Sequence, residues 1–414
     1  MTLRTEKQID EKMEVRTAFQ EDVERVVTEQ LAKRRGKIET KTKGKKSSKL
    51  RTKSSKIKST PKSKSSPKKK ANQESESTAE SFTFIDLFAG IGGFRYAMQN
   101  LGGQCVFSSE WDVHSQKTYY FNFKEWPEGD ITLEETKSKI PNNFDVLCAG
   151  FPCQAFSIAG KRGGFDDTRG TLFFEVAEIL RRKRPKAFFL ENVKGLINHR
   201  GGKTLARIIE VLRDELDYYV PEPEIVNAKH FGVPQNRERV FIVGFRKDLG
   251  VDTFEYPRPS GLQKTFADVK EKEPVPTKYY LSETYLEGMR RHRARHESKG
   301  NGFGYEIIED DEIANAIVVG GMGRERNLVR DDRITDFTPQ TSIKGRVNRE
   351  YIRKMTPREW ARLQGFPESP DFRIPVADVH AYKQLGNSVA VPAIQAMAEL
   401  ILKKLGIGQS NDRK

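Results

Sequence analysis

Cysteine is scarce in this chain: Cys105, Cys148 and Cys153 are the only three among 414 residues, and no two of them form a Cys-x-x-Cys pair. This pattern excludes a disulfide framework and a cysteine-based zinc site, and it fits a reducing compartment. No apolar run reaches the roughly 20 residues that a membrane-spanning helix needs. The first ten residues also lack the apolar core of a signal peptide. We therefore expect a cytoplasmic protein without a membrane partner.

Acidic residues are almost missing from one segment. Residues 36–70 contain fourteen lysines and one arginine but a single glutamate, so this segment carries +14 of the net charge of +15. The rest of the chain is therefore close to neutral. A basic chain favours a nucleic-acid partner, but a single basic segment can also serve roles unrelated to nucleic acid. The motifs of the body must therefore decide.

The first 80 residues fall into two parts. In residues 1–35 apolar side chains recur every three to five positions among charges, which predicts an amphipathic helix. That helix either packs on the body or a partner, or serves as a DNA-binding or regulatory element. Residues 36–80 are rich in Lys, Ser, Thr and Pro and bury too little apolar surface to offset the cost of ordering. They are predicted to be a disordered basic linker.

Strand and helix patterns alternate through residues 81–245, which predicts a doubly wound α/β fold. In residues 246–350 the alternation stops and Gly, Arg, Asp and Pro predominate, which predicts a separate smaller domain. Helical patterns return in residues 351–405, and a tail follows at 406–414. The predicted elements are, in chain order, Phe82–Leu87, Cys105–Ser109, Asp145–Ala149, Gly170–Arg182, Ala187–Leu190, Lys203–Leu216, Val240–Phe245, Thr356–Leu363 and Pro392–Leu405.

A glycine loop follows the first predicted strand, in the segment FIDLFAGIGGF (84–94). Its glycines permit close approach of a ligand, and the helix N-terminus that follows attracts an anion. Glu110 lies twenty residues after Gly90, where an acidic residue can hold ribose hydroxyls, and Trp111 offers a face for an adenine ring. No Lys-Ser or Lys-Thr pair follows the glycines, so phosphoryl transfer is not expected. Asp130, in GDI (129–131), is either a third contact or a plain turn residue.

Polar residues also follow or precede several buried strands. Cys153 lies in a Gly/Pro loop after a strand, where α/β enzymes place their sites, although position alone leaves a structural role equally open. Cys148 is expected to be a buried core residue. Glu191 follows another strand and Arg239 precedes one, so an ion pair between them would satisfy both charges and also build a site.

Six segments in this order resemble the motifs of the C5-cytosine-specific DNA methyltransferases of bacterial restriction–modification type. Weaker matches lie between them at 110–123, 129–131 and 170–174, and the resemblance covers residues 81–405. The six segments are FIDLFAGIGGF (84–94), GFPCQAFS (150–157), ENVKGL (191–196), QNRERVFIVGF (235–245), MTPREWARLQGFP (355–367) and QLGNSVAVP (384–392).

This resemblance implies a Rossmann-like S-adenosylmethionine-dependent domain and a target-recognition domain that acts on double-stranded DNA. Cys153 would attack C6 of a flipped cytosine, Glu191 would bind N3 and the exocyclic amine, and Arg237 and Arg239 would hold the base and the thiolate region. S-adenosylhomocysteine would be the second product, and no metal is needed. The cofactor site would be lined by Phe88, Gly90, Gly92, Gly93, Glu110, Trp111, Asp130, Ile131, Pro152, Leu172, Asn387, Ser388 and Val389.

Contacts to DNA are expected from Gln154 and Ser157 and from the smaller domain. Its candidates for guanine or phosphate contacts are Arg324, Arg326, Arg330 and Arg333. A surface ion pair with Glu325, Asp331 or Asp332 is an equally good interpretation of each arginine. The resemblance also implies a monomer that acts near the nucleoid, and a cognate restriction endonuclease as a functional counterpart is compatible with it.

Two other functions compete with DNA methylation. A tRNA cytosine-5 methyltransferase shares the fold, but that branch usually has Pro-Pro-Cys at the nucleophile and a shorter recognition domain. This chain has Phe-Pro-Cys at 151–153 and about a hundred residues for recognition, and both features favour DNA. A non-catalytic DNA-binding regulator is the other alternative, and the presence of Cys153, Glu191 and Arg239 argues against it.

Overall fold

The structure is a computed structural model that describes residues 81–152, 172–300, 304–319, 324–334 and 345–407. The predicted helix at 1–35 and the predicted linker at 36–80 lie outside the described residues. So do Cys153, Gln154 and Ser157 and most of the tail.

A mixed sheet of seven strands forms the centre of the described chain: β1 Thr83–Leu87, β2 Gln104–Ser109, β3 Val146–Gly150, β4 Ala187–Val193, β5 Tyr218–Tyr219, β6 Glu224–Asn227 and β8 Glu238–Arg246. The strand order is β2-β1-β3-β4-β8-β5, and β6 also pairs with β8. The first four strands of this order run parallel, whereas β8 runs antiparallel to β4, β5 and β6.

Helices cover both faces of this sheet, because both faces of its central strands are apolar. Successive residues of β1 point to opposite faces of the sheet, so Phe84 and Ile85 enter two different core clusters. The helices that precede residues 246–350, the smaller region, are α1 Gly93–Asn100, α2 Val113–Phe123, α3 Glu134–Ser138, α4 Leu172–Lys183 and α5 Lys203–Glu210. Those that close the chain are α7 Pro357–Leu363, α8 Asp378–Asn387 and α9 Val391–Lys404.

Most predicted elements are present, with two differences in the body. The predicted strand at Ala187–Leu190 continues to Val193, because Glu191 and Asn192 pair with β8 along their whole length. The predicted helix at Lys203–Leu216 ends its α-helical part at Glu210 and continues as a π-helical turn, Val211–Glu215. The sheet is mixed rather than wholly parallel, a feature that alternation of helix and strand patterns does not reveal.

The region after Phe245 is more regular than its composition predicts. It contains α6, Glu283–Glu297, a helix that was not predicted because only Leu286 and Met289 on it are buried. A three-stranded sheet lies beneath this helix, and a further strand pair joins this region to the body. Its strands are β9 Ile307–Ile308, β11 Leu328–Arg330 and β12 Ile352–Lys354, and the pair is β10 Ala314–Asn315 with β7 Gln235–Asn236.

The stretch Asp378–Lys404 is long and apolar enough, by composition, to resemble a membrane-spanning helix. However, 61% of its most apolar 18 residues is buried inside the protein. It consists of α8 and α9, which are separated at Ser388–Ala390. Buried residues of α9 belong to the main core cluster, so the apolar composition is explained by packing.

A buried ion network joins β11, β12 and α7. Arg353 Nε lies 2.8 Å from Asp331 Oδ2, and its two terminal nitrogens lie 2.7 and 2.8 Å from the oxygens of Glu359. All three side chains are fully buried. Glu359 also forms a capping box with Thr356 at the start of α7, so one carboxylate fixes both the helix end and the arginine.

Arg353→Ala is expected to lower the free energy of unfolding by about 3–5 kcal/mol, because it leaves the buried carboxylate of Glu359 without its cation and Asp331 with Arg333 alone. Arg293→Ala is the matched control: it removes an exposed pair with Glu297 on α6, which should cost no more than about 1 kcal/mol. Urea denaturation of both variants measures the difference. Equal losses would contradict the assignment of Arg353 as the buried centre of this network.

Asp86 is an unexpected charge in the core. It lies on β1 between Ser108 and Cys148 of the neighbouring strands, is fully buried, and has no well-formed hydrogen bond to any described group through either carboxyl oxygen. Burial raises the pKa of Asp86 to about 8, against the opposing effect of the nearby Arg95. Cys148 is likewise fully buried, as predicted.

A raised carboxyl pKa makes folding less favourable as pH rises, since the unfolded chain loses the Asp86 proton at a lower pH than the folded chain. The stability of the wild type should therefore fall relative to that of Asp86→Asn as the pH rises from about 4 to about 8. Denaturation of both proteins at several pH values tests this. A stability difference that does not change with pH would show that Asp86 is ionised in the fold.

Candidate functional site

A cavity of about 690 Å³ opens at the carboxyl ends of the parallel strands. Its wall is formed by the loop after β1, the ends of β2, β3 and β4, the start of β8, and the turn between α8 and α9. Ligand sites of α/β sheets commonly lie at this edge. The cavity therefore brings together segments that are up to 300 residues apart in the chain.

The glycine loop forms one side of the cavity with an unusual backbone. Phe88 has a φ of 55°, a left-handed conformation that is costly for a residue with a large side chain. Gly92 has a φ of 86°, and a Cβ there would lie 2.2 Å from the ring of Phe123. Only glycine fits at this position, because any side chain would meet the packed ring. The packing of Phe123 against Gly92 thus constrains the shape of the loop.

Glu110 closes the loop from the end of β2. Its two oxygens accept hydrogen bonds from the backbone N–H groups of Gly90, at 2.8 Å, and Asp112, at 2.7 Å. Burial raises the pKa of Glu110, and these two backbone groups act in the opposite direction. Trp111 beside it is 62% exposed, so its ring offers a free face at the cavity.

Asp130 lines the cavity, where a ligand contact was expected, and it also stabilises a turn, which was the alternative interpretation. Its Oδ1 accepts hydrogen bonds from the backbone N–H and the hydroxyl of Thr132, at 3.0 and 2.9 Å.

Three buried polar atoms in the cavity wall lack a hydrogen-bond partner among the described residues. Two are Ser109 Oγ and Gln384 Nε2, and both residues line the cavity; the third is Nε of Arg237, a further lining residue. Buried polar groups without partners are uncommon and are satisfied by water or a ligand. Near them, Lys383 and Asp112 form an ion pair of 2.9 Å that joins α8 to the start of α2. This part of the wall suits a polar ligand.

Glu191 and Arg239 form the ion pair predicted from the sequence. Arg239 Nε lies 2.9 Å from Glu191 Oε1, and the two side chains are only 15% and 11% exposed. The antiparallel pairing of β4 with β8 places Val193 opposite Arg239, so the two charges project from adjacent strands at the same edge. A carboxyl group held in this way can bind a polar ring edge inside the cavity.

The segment that leads to Cys153 is fixed by the residue after Glu191. Asn192 Nδ2 donates a hydrogen bond of 2.8 Å to the carbonyl oxygen of Phe151, and Phe151 and Pro152 both line the cavity. Cys153 itself lies outside the described residues. In the chain it directly follows Pro152.

Arg237 lines the cavity, and its terminal nitrogens bond backbone groups. Its two terminal nitrogens donate to backbone carbonyls, Nη1 to Ile317 at 2.8 Å and Nη2 to Gly386 at 3.1 Å and Ser388 at 2.6 Å. The residue is 2% exposed. Burial lowers the pKa of Arg237, and the charge of Arg239 acts in the same direction. Its terminal donors are thus used to hold backbone rather than being directed at a ligand.

The structure gathers nearly all of the residues predicted to bind a cofactor into this one cavity. Gly92 is the exception, since it lies behind the loop against Phe123. Those that line the wall are Phe88, Gly90, Gly93, Glu110, Trp111, Asp130, Ile131, Pro152, Leu172, Asn387, Ser388 and Val389.

Three of the four arginines proposed to contact DNA are already paired within the fold. Arg326 pairs with Glu306, Arg330 with Glu309, and Arg333 with Asp331. These carboxylates compete with DNA for the arginines, and two of them are different from the partners suggested by the sequence. Arg324 makes no ion pair with a described carboxylate, and its guanidinium lies 5.4 Å from the ring centroid of Tyr382.

Sequence reasoning assigned no role to several residues of the site. Asp112, Asn192 and Lys383 position its walls, and Gln364 bonds the turn between α8 and α9 from below. Each is adjacent to or within a motif that was recognised, so proximity to the motifs was the signal available. Which of these polar side chains turn toward the cavity depends on packing.

Comparison with known proteins agrees with this geometry. Residues 82–403 match the family model described as C-5 cytosine-specific DNA methylase. The Type II methyltransferase M.HpaII of Haemophilus parainfluenzae is 73% identical over 327 residues, which are 79% of this chain and 91% of that protein. The Type II methyltransferase M.HhaI of Haemophilus parahaemolyticus is 40% identical over 327 residues, which are 76% of this chain and 92% of that protein.

Solved structures support the fold. The S. pombe Dnmt2 methyltransferase aligns with a TM-score of 0.59 at 20% identity and covers 79% of this chain and 100% of its own. The Entamoeba histolytica methyltransferase EhMeth aligns with a TM-score of 0.60 at 18% identity and covers 79% of this chain and 99% of its own. The fold is thus a methyltransferase fold built on a mixed α/β sheet. From the family match and the identity to its relatives, the chain belongs to the C-5 cytosine-specific DNA methylase family.

Proposed function

We propose that the chain transfers a methyl group from S-adenosylmethionine to C5 of a cytosine within a short duplex DNA sequence. The observation that carries this proposal is the shared cavity: the Glu191–Arg239 pair lines the same space as the glycine loop and Glu110. A base held at the ion pair and a cofactor held at the loop would therefore meet directly.

The cavity fits the cofactor in its chemistry. The carboxylate of Glu110 would accept hydrogen bonds from the ribose hydroxyls, and the exposed ring of Trp111 would stack on adenine. The unpartnered Ser109 Oγ and Gln384 Nε2 offer further polar contacts for a polar ligand. When bound, S-adenosylmethionine supplies an electrophilic methyl group on a sulfonium.

The residues of the base side supply the activation that cytosine needs. C5 is a poor nucleophile until the thiolate of Cys153 forms a bond to C6, which shifts the ring electrons toward N3 and C5. Glu191, held by Arg239, would bind N3 and the exocyclic amine and favour a proton at N3. After C5 has accepted the methyl group, loss of the C5 proton to a base restores the double bond and releases Cys153. These atoms are stacked in duplex DNA, so the cytosine must be flipped into the cavity.

Recognition of DNA would come from residues 246–350, as a target-recognition region beside the cavity. Of the four candidate arginines, Arg324 is the one best placed to contact DNA, since its three companions are paired. The basic segment 36–70 would add attraction to phosphates that is independent of sequence and falls with salt.

The relatives named Type II methyltransferases suggest the biological setting. The chain would act as a cytoplasmic monomer and protect host DNA from a restriction endonuclease of the same target sequence. The endonuclease would be a functional counterpart and need not bind this protein.

Tritiated S-adenosylmethionine should label unmethylated genomic DNA in the presence of the wild-type protein, and Cys153→Ala should abolish the labelling. Conversion-based sequencing should place the methyl groups at C5 of cytosine within one short motif. Glu191→Gln should retain DNA binding while the methylation rate falls by roughly 100-fold or more, as expected for loss of a general acid. Labelling of tRNA in place of DNA would favour the RNA alternative, and no labelling of either would favour a regulator.

The cofactor site can be tested separately with S-adenosylhomocysteine. Glu110→Gln keeps the shape of the side chain but removes its charge, so binding should weaken about tenfold, since hydrogen bonds to charged groups are the stronger ones. Glu128→Gln is the matched control, because Glu128 pairs with Lys139 near the surface and does not line the cavity. Titration calorimetry gives both affinities, and equal values for the two variants would argue against a role for Glu110 in holding the cofactor.

A further inference from the structure

Three fully buried polar side chains lie between the cavity and the smaller region. Gln235 and Gln364 are 0% exposed and Arg237 is 2% exposed. Gln235 Nε2 donates to the carbonyl oxygen of Leu363 at 2.8 Å and lies 3.3 Å from Gln364 Oε1, so the two glutamines are also joined. A buried polar cluster is costly unless its members are satisfied; backbone groups satisfy most of these donors, and Arg237 Nε has no partner among the described residues.

On one side, this cluster holds both backbone groups of Ile317. The N–H of Ile317 donates to Gln235 Oε1 at 3.0 Å, and its carbonyl oxygen accepts from Arg237 Nη1 at 2.8 Å. The same segment is fixed by the pairing of β10 with β7 two residues earlier. Val318 and Val319 follow directly and are 43% and 46% exposed. The cluster thus fixes residues 314–319, the recognition segment, at the point where the proposed recognition region comes to the surface.

On the other side, the cluster holds the turn between α8 and α9. Gln364 Nε2 donates to the carbonyl oxygens of Leu385, at 2.8 Å, and Ser388, at 3.1 Å. Arg237 Nη2 donates to Gly386, at 3.1 Å, and again to Ser388, at 2.6 Å. This turn contributes Asn387, Ser388 and Val389 to the cavity wall. One guanidinium therefore bonds the cavity wall and the recognition segment at the same time.

Direct packing links the same parts. A Cβ at Gly386 would lie 2.9 Å from Val319 Cγ2 and 3.1 Å from the backbone of Val318 and Val319. A Cβ at Gly93, where α1 begins, would lie 2.6 Å from Val389 Cγ2. Close contacts thus run from the glycine loop to the turn and on to the recognition segment, with no room for an added methyl group at either glycine.

We propose that Gln235, Arg237 and Gln364 form a coupling cluster that makes the recognition segment at 314–319 respond to occupancy of the cofactor cavity. This rests on the proposed function, because it takes the cavity as the cofactor site and residues 246–350 as the reader of DNA. A cofactor that orders the turn at 386–389 also orders Ile317 through Arg237, so DNA meets a segment that is already in place. Arg237 is a positioning residue in this scheme, acting through backbone carbonyls.

Coupling of this kind is a property of binding equilibria and is reciprocal. S-adenosylhomocysteine should tighten binding of a duplex that contains the target site, and the duplex should tighten binding of S-adenosylhomocysteine by the same factor. Couplings between sites typically lie at about 5- to 150-fold. Lysine keeps the charge of Arg237 but has no planar fork of donors, so it cannot bond Ile317, Gly386 and Ser388 together.

The experiment measures the dissociation constant of the full-length protein for the duplex with and without saturating S-adenosylhomocysteine, in the wild type, Arg237→Lys and Arg358→Lys. Arg358 is the matched control: it also bonds two backbone carbonyls, those of Pro367 and Phe372, but both lie close to it in the chain. The ratio of the two constants should fall toward one in Arg237→Lys and should stay at the wild-type value in Arg358→Lys. Gly386→Ala, which separates the turn from Val319, should also lower the ratio.

The outcomes separate this inference from the proposed function. If the wild type binds both ligands and Arg237→Lys keeps the full ratio, the coupling cluster is wrong while the methyltransferase proposal stands. If the wild type does not bind S-adenosylhomocysteine, the proposed function itself fails. A purely structural role of Arg237 would weaken both dissociation constants together and leave their ratio unchanged, so that result also overturns the coupling cluster.

Discussion

The antiparallel pairing of β4 with β8 is the constraint on which the site depends. It places Arg239 beside Glu191, and the resulting 2.9 Å ion pair lets two charges be nearly buried at the edge of the sheet. An unpaired charge at this depth would be costly, so each residue needs the other, and both line the cavity. Asn192, the next residue of β4, donates a hydrogen bond to the carbonyl oxygen of Phe151 and so fixes the backbone just after β3, which precedes Cys153 in the chain.

The smaller region is attached to the body by buried polar groups as well as by apolar packing, since Phe266, Ile317 and Val329 belong to the main core cluster. Arg353 joins β12 to α7 and to Asp331 after β11, and Arg237, which directly precedes β8, bonds Ile317 and the turn after α8. Hydrogen bonds of this kind are directional, so they specify one arrangement of the segments where apolar packing would tolerate several. This property suits a site whose two halves must meet at one cavity.

The parts of the fold that follow from local patterns could be predicted from the sequence. The strand at Phe82–Leu87 and the helix of Pro357–Leu363 begin and end within a residue or two of the predicted limits, because an apolar run and a Thr-Pro cap are local signals. Helix α6 was missed because its buried contacts are two residues on an otherwise charged surface. The antiparallel direction of β8 was missed, because the direction of a strand within a sheet depends on the strand that it pairs with, here β4.

The sequence by itself determined the family, the order of the motifs and the residue types of the site, since these depend on spacing along the chain. It also indicated the ion pair of Glu191 with Arg239, because two charges beside buried strands require a partner. Tertiary structure alone decided which groups Arg237 bonds and how the arginines of the smaller region are paired. Those outcomes depend on backbone carbonyls and carboxylates that lie far away in the chain and become neighbours only when the sheet, the turn at 386–389 and β10 have packed together.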